Sequence, residues 1–275
     1  MFKALDTVDF ERVIHALENA AVVERAYKDV KRATQFAGDA DRLRDALVKA
    51  VRETHPSHRE NIEDVIPSCL AFLKSFETLF TMNYDLLLYW VILAAGSPFG
   101  DGFGLGKEVN GFRGPFNTGA HCHVYNLHGG LHLFLTPTGD VEKRLMGSSG
   151  VIDAIAQTIT HDKRLPIYVA EGTSAAKLGR INSVAYLRHC YDRLRDSYGN
   201  FFVYGHSGDP NDAHIYDALF NSQIDHLYFC VHKPTAKVEH ISGELARYKE
   251  RNGSKIDYTF VDSETAHIWD APLKK

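Results

Sequence analysis

Asn83, Tyr84 and Asp85 stand together in "FTMNYDLLLYW", between an apolar run ending at Met82 and another beginning at Leu86. An amide both donates and accepts hydrogen bonds, and a carboxylate stabilises positive charge. At a strand end the two could orient a water and support a developing cation. They equally suit a helix cap, since such side chains satisfy the orphan N–H groups of a helix starting near Asp85. His128, in "LHGG", is a candidate general base with an ordinary pKa of about 6.5, or a structural turn residue. Gly205, in "YGHSGDPND", offers close backbone approach to a phosphate at a helix N-terminus, with His206, Ser207 and Asp212 beside it.

These residues need a scaffold, and the apolar spacing supplies one. Phe10, Val13, Ile14, Leu17 and Ala21 repeat at helical spacing. So do Leu43, Leu47, Ala50 and Val51, in a second helix preceded by Gly38 and stopped near Pro56, while a third patterned segment runs from Ile62 to Phe76. Beyond residue 76 the pattern changes to short β-branched or aromatic runs: "TLFTM", "VYNL", "PIYVA", "NFFVYG", "DHLYFCV" and "DYTFV". Each is followed by a polar turn and, before the last, a helix. That alternation predicts an α/β fold: a Rossmann-like, mostly parallel sheet with helices on both faces and an N-terminal helical part. The chain reads as one domain, helical over 1–76 and strand–helix over 77–275, with a Gly-rich loop or insertion at 96–119. In such sheets ligands bind at the carboxyl ends of the strands, and "NYD", "HGG", "EGTS" and "GHSGDPND" all fall there.

Composition excludes several classes. At 275 residues and 44% hydrophobic the chain can bury a large core. A net charge of −4 lacks the basic field that nucleic acid or an anionic membrane requires. The longest apolar run, Leu86 to Gly96, is about half a bilayer span, and no leader pattern opens the chain, so the expectation is a cytoplasmic protein. The four cysteines form no CxxC pair and read as small buried residues. "HCH" at His121 to His123 is the one histidine cluster, and no second cluster completes a metal site, so no metal is expected.

In this order along one chain, "TxNYD", "LHG", "PIYVAEG" and "YGHS" resemble the sirtuin-like NAD-consuming fold, and in particular the bacterial sirtuin-like domains associated with phage defence. The resemblance runs from about Asp9 to Trp269, closest in "FTMNYDLLLYW" and "AEGTSAAKLGRINSVAYLRH". It implies cleavage of the N-glycosidic bond of NAD through an oxocarbenium-like transition state. Asn83 would hold a water or the nicotinamide ribose in line, His128 would act as general base, and Asp85 would orient the site, stabilise the cation or simply cap the helix. Thr81, Tyr84 and Gly129 adjoin these as NAD contacts. Glu171, Gly172 and Thr173, with Gly205, His206 and Ser207, would line the ribose and adenine side, and Asp212 would accept from a ribose hydroxyl. Asn83 and His128 are both expected at a cleft rim, where alanine removes turnover with little loss of folding.

Two departures shape the expected activity. No paired cysteines build the zinc ribbon of protein-deacetylating sirtuins, which favours hydrolysis of NAD itself. No glycine-rich phosphate loop follows an early strand, and "GFGLG" at Gly102 to Gly106 reads as having helix before it. The start then lies upstream, or a partner completes the pocket, or catalysis is lost. The expectation is a regulated NAD hydrolase in anti-phage defence, acting by abortive infection and switched on by a sensor or activator protein encoded nearby or by oligomerisation. The alternative is a non-catalytic nucleotide-binding or scaffold subunit, and a third reading is a glycosidic enzyme acting on a nucleoside.

Overall fold

The computed structural model describes residues 1–7, 9–95, 98–103, 120–144, 150–169, 172–232 and 237–270. Two long helices open it, α1 (Phe10–Ala26) and α2 (Val30–Thr54). Asp9 caps α1 by accepting from the Arg12 N–H, and Asp29 caps α2 by accepting from the Arg32 N–H. They pack through Val13, Ile14, Leu17 and Ala40. Contrary to expectation, Gly38 lies inside α2: burial of Ala33 and Ala40 on either side of it outweighs the ~1 kcal/mol helix penalty of a glycine. The helix ends, as expected, just before Pro56, and α3 (Ile66–Leu73) follows.

The remaining elements are β1 (Thr78–Thr81), α4 (Leu87–Ala95), β2 (Phe99–Gly100), β3 (Cys122–Asn126), β4 (Gly129–Leu135), β5 (Val141–Lys143), α5 (Val151–Thr160) and β6 (Pro166–Tyr168). Then come α6 (Ser174–Ser183), α7 (Ala185–Arg195), β7 (Tyr198–Tyr204), α8 (Ala213–Phe220), β8 (Gln223–Val231), α9 (Lys237–Arg251) and β9 (Asp257–Asp262). All six strands expected from the apolar runs form, and helices flank them in an α/β arrangement. Among the described residues the strands make three small sheets rather than one: β1-β3-β2 and β7-β8-β9 are parallel, and β5-β4-β6 is antiparallel.

The antiparallel sheet is the main surprise. "HGG" does not lead from a turn into a helix; it opens β4, which pairs with β6 at Gly129↔Tyr168 and Gly130↔Ile167. Gly129 has φ +86°, and a Cβ there would sit 2.0 Å from the Ile167 carbonyl oxygen. Only glycine allows this approach, which directs the chain from β3 into β4. Similarly, the two-residue β2 precedes Gly102, so a short strand, not a helix, stands before "GFGLG". Gly104 to Gly106 and most of the Gly-rich segment fall outside the described residues.

The largest core cluster joins β3, β4, β6, β7 and β8 to α6–α9, with Leu227, Phe229, Tyr186 and Leu219 fully buried. Cys69, Cys122, Cys190 and Cys230 are all free and buried. Burial lifts the Cys69 thiol to about 11 and Cys122 to about 12, so both stay neutral. No described helix is long and apolar enough to cross a membrane.

Candidate functional site

The carboxyl end of β1 opens onto a cavity of about 240 Å³. The register sets Thr81 beside Asn126 at the ends of two adjacent parallel strands, and both line the cavity. Asn83 and Asp85 line it next, against apolar walls from Leu88, Tyr89, Ile92 and Phe99. Asn83 is exposed, and its side-chain amide has no hydrogen-bond partner among the described residues; only its backbone N–H is tied, to the Thr81 hydroxyl at 3.1 Å. Asp85 is half-buried and does cap α4, its Oδ1 accepting from the Leu87 N–H at 2.9 Å. Beside it the Leu86 N–H donates to His55 Nε2 at 2.8 Å.

The other side of the cavity is charged and buried. Lys143 donates to Asp101 at 2.6 Å, with the lysine side chain 7% and the aspartate 15% exposed. His132 stacks on Tyr89 with ring centroids 4.9 Å apart. Its burial, aided by the Lys143 charge, pushes its pKa down to about 4, so the ring is neutral.

A second polar cluster lies where β3, α6 and α8 meet. His128 Nε2 and His214 Nε2 are 3.1 Å apart, and His214 Nδ1 is 3.1 Å from Ser174 Oγ, which also accepts from the His214 N–H at 2.7 Å. One imidazole must donate while the other accepts, so at most one proton is shared between them. Burial and mutual repulsion push His128 down to about 3, and burial brings His214 to about 4; both rings are therefore neutral near pH 7. Asp212 accepts from Lys177 at 2.7 Å and faces His206 at 3.5 Å, while His206 also bonds Tyr216. Burial works against the ionised Asp212, but His206 and Lys177 outweigh it and hold the carboxyl below its usual range. His128, Asp212 and His214 form the one group of potential metal donors among the described residues, within 4.8 Å of one another. The Lys177 ammonium already neutralises that carboxylate, so the chemistry fits shared protons better than a divalent cation.

The profile of a family described as a domain of unknown function, DUF4917, matches residues 1–269. The chain belongs to the DUF4917 family. A search of curated proteins found no match.

In this DUF4917 chain the expected site residues fall into two groups. Thr81, Asn83 and Asp85 meet at the cavity, whereas His128, His206 and Asp212 meet at the imidazole cluster, beside the start of α6 where Thr173 accepts from the Ala176 N–H. The residues lining the cavity include Asn83 but not His128. His128 is not at a rim: it is 2% exposed. Tyr84 acts as a clamp, donating to the Val169 carbonyl and accepting from the Leu131 N–H through its own carbonyl. Gly129 shapes the backbone as described above. Gly172, Gly205 and Ser207 are exposed, Gly205 with φ +69°, and Glu171 lies outside the described residues.

Sequence reading passed over Asp101, Asn126, His132 and Lys143 at the cavity, and Ser174, Lys177, His214 and Tyr216 in the cluster. Some signals were present. Asn126 is a polar residue at the end of an apolar strand, and Lys143 shares strand alternation with buried Val141. His214 follows Asp212 by two residues, but nothing local announces a partner 86 residues away.

Proposed function

We propose that the chain hydrolyses the N-glycosidic bond of NAD, releasing nicotinamide and ADP-ribose. The observation that carries this reading is the cavity at the end of β1, where an uncommitted amide and a carboxylate stand over apolar walls. Asn83 is free to hold water in line with the anomeric carbon, and the Asp85 charge favours a cationic transition state. At about 240 Å³ the cavity falls below the ~300–1,000 Å³ of sites that enclose a drug-sized ligand, so it takes the departing ring rather than the whole dinucleotide. The rest of the substrate lies toward Gly205 to Ser207. His128 is a weak base here and lies outside the cavity lining, so its part is to hold the β3–β4 turn through its bond to His214.

The role as a regulated effector in anti-phage defence, switched on by a sensor protein, rests on the sequence resemblance. A second reading, a non-catalytic nucleotide-binding or scaffold subunit, is favoured by the burial of His128 and its engagement with His214. Nicotinamide release from NAD, by the chain alone and with products of neighbouring genes, tests the proposal, with Asn83→Ala as control. Release that vanishes in the variant supports hydrolysis. No release and no NAD binding by calorimetry supports the scaffold, and cleavage of a nucleoside but not NAD supports a smaller substrate.

A further inference from the structure

Asn126 closes β3 and lines the cavity at the end of β1, yet it is only 6% exposed. Its amide is half used. Nδ2 donates to the Tyr186 hydroxyl at 2.8 Å, and the Asn126 backbone N–H donates to the same oxygen at 3.3 Å. Tyr186 is fully buried, so these two bonds fix which end of the amide is committed. The other end, Oδ1, accepts from no described residue. A buried acceptor left unused costs stability, and folded proteins rarely keep one. One that lines a cavity is a place for a ligand's donor.

His132, 4% exposed in the same lining, likewise keeps a buried Nδ1 with no partner among the described residues. A neutral imidazole offers one donor and one acceptor, so His132 suits either kind of ligand group. The charged groups of the lining lean one way. Asp85 and Asp101 only accept, and their two negative charges outnumber the one positive charge of Lys143, which Asp101 already engages at 2.6 Å. The lining therefore suits a group that donates hydrogen bonds and carries no negative charge, and it disfavours a carboxylate.

We propose that Asn126 is the specificity residue of the cavity: its Oδ1 accepts an N–H of the primary carboxamide on the departing ring, and Tyr186 is the positioning residue that holds it so. This rests on NAD being the substrate, and it assigns the group by which the ring is recognised. The apolar walls from Leu88, Tyr89 and Ile92 take the faces of the ring. Before cleavage the ring is a pyridinium cation, which the net negative lining attracts. After cleavage it is neutral, and the loss of that attraction eases its release.

Three dinucleotides that differ at one ring substituent test it: NAD itself, the analogue with a methyl ketone in place of the carboxamide, and the analogue with a carboxylic acid. Affinity is compared rather than rate, because the ketone also changes the leaving group. The measurement is calorimetry on the Asn83→Ala chain, which keeps the ligands intact. The ketone matches the amide in size but has no N–H, and it should bind about tenfold or more weaker than NAD, the acid weaker still. In the same background Asn126→Leu should abolish the preference for amide over ketone, and Asn126→Asp, which keeps an acceptor, should retain it. Tyr186→Phe should shrink it to less than about threefold while a urea midpoint shows the chain still folded. A ketone bound as well as NAD, or a preference unchanged in Asn126→Leu, overturns the proposal. An acid bound better than NAD overturns it too and makes Lys143 the recognising group. If no dinucleotide binds, NAD is not the substrate, and the same comparison is made with the free rings nicotinamide, 3-acetylpyridine and nicotinate. A preference for nicotinamide there upholds the role of Asn126 without the hydrolysis, and its absence overturns both.

Discussion

The cavity beside β1 and the imidazole cluster between β3 and α8 are built from similar residues and treat them in opposite ways. At the cavity Asn83 is exposed with its amide uncommitted. In the cluster His128, His214, Ser174, Asp212 and Lys177 are each bonded to another member. A group that is to act on a ligand must keep a donor or acceptor unused, whereas a buried group must use all it has, because an unsatisfied one costs about 1–3 kcal/mol. The difference separates a surface suited to binding from a network suited to holding α6, α8 and the β3–β4 turn together.

Acid should break that contrast most strongly, by attacking the network and sparing Asn83. His128 at about 3, and His132 and His214 at about 4, lie below the ordinary value of about 6.5, so the unfolded chain binds more protons between those limits. Stability from these rings is complete above about pH 6.5 and falls as pH drops through the window. Each costs about 2 kcal/mol at pH 5. The depressed Asp212 adds a further loss below its ordinary range. Urea midpoints at pH 7.5, 6 and 5 should decline steadily, and a flat profile would mean the rings are not buried neutral.

Gly129→Ala comes next. The added Cβ meets the Ile167 backbone and the φ is unfavourable, so about 3–5 kcal/mol should be lost in a denaturant titration. His128→Ala should cost about 3 kcal/mol, since it leaves a cavity and strips His214 of its partner. That result would contradict a rim position, as the 2% exposure already does. Asn83→Ala sharpens the comparison from the other side. Its midpoint should move by less than about 0.5 kcal/mol, while nicotinamide release falls on the order of 10²-fold or more. Equal destabilisation by both variants would erase the distinction between the two regions.

Much of the scaffold was legible because its signals are local. The β-branched runs become β1, β3 and β6 to β9, and Asn83 to Asp85 falls at a strand end because apolar runs bound it on both sides. β4 was missed because "HGG" resembles a turn, and what makes it a strand is the approach of Gly129 to Ile167, almost forty residues later in the chain. α2 was started too late because Gly38 looks like a boundary, and only packing on α1 carries the helix through it.

Sequence by itself determined the α/β alternation, the helical opening and the strand-end placement of Asn83 and Asp85, since hydrophobic periodicity acts over a few residues. Tertiary structure alone decided which of those residues meet. It put Asn83 with Lys143 and His132 but His128 with His214, and it divided the described strands among three sheets. Those outcomes depend on strand order and on burial, which are properties of the assembled sheets and have no signature in any short stretch of chain.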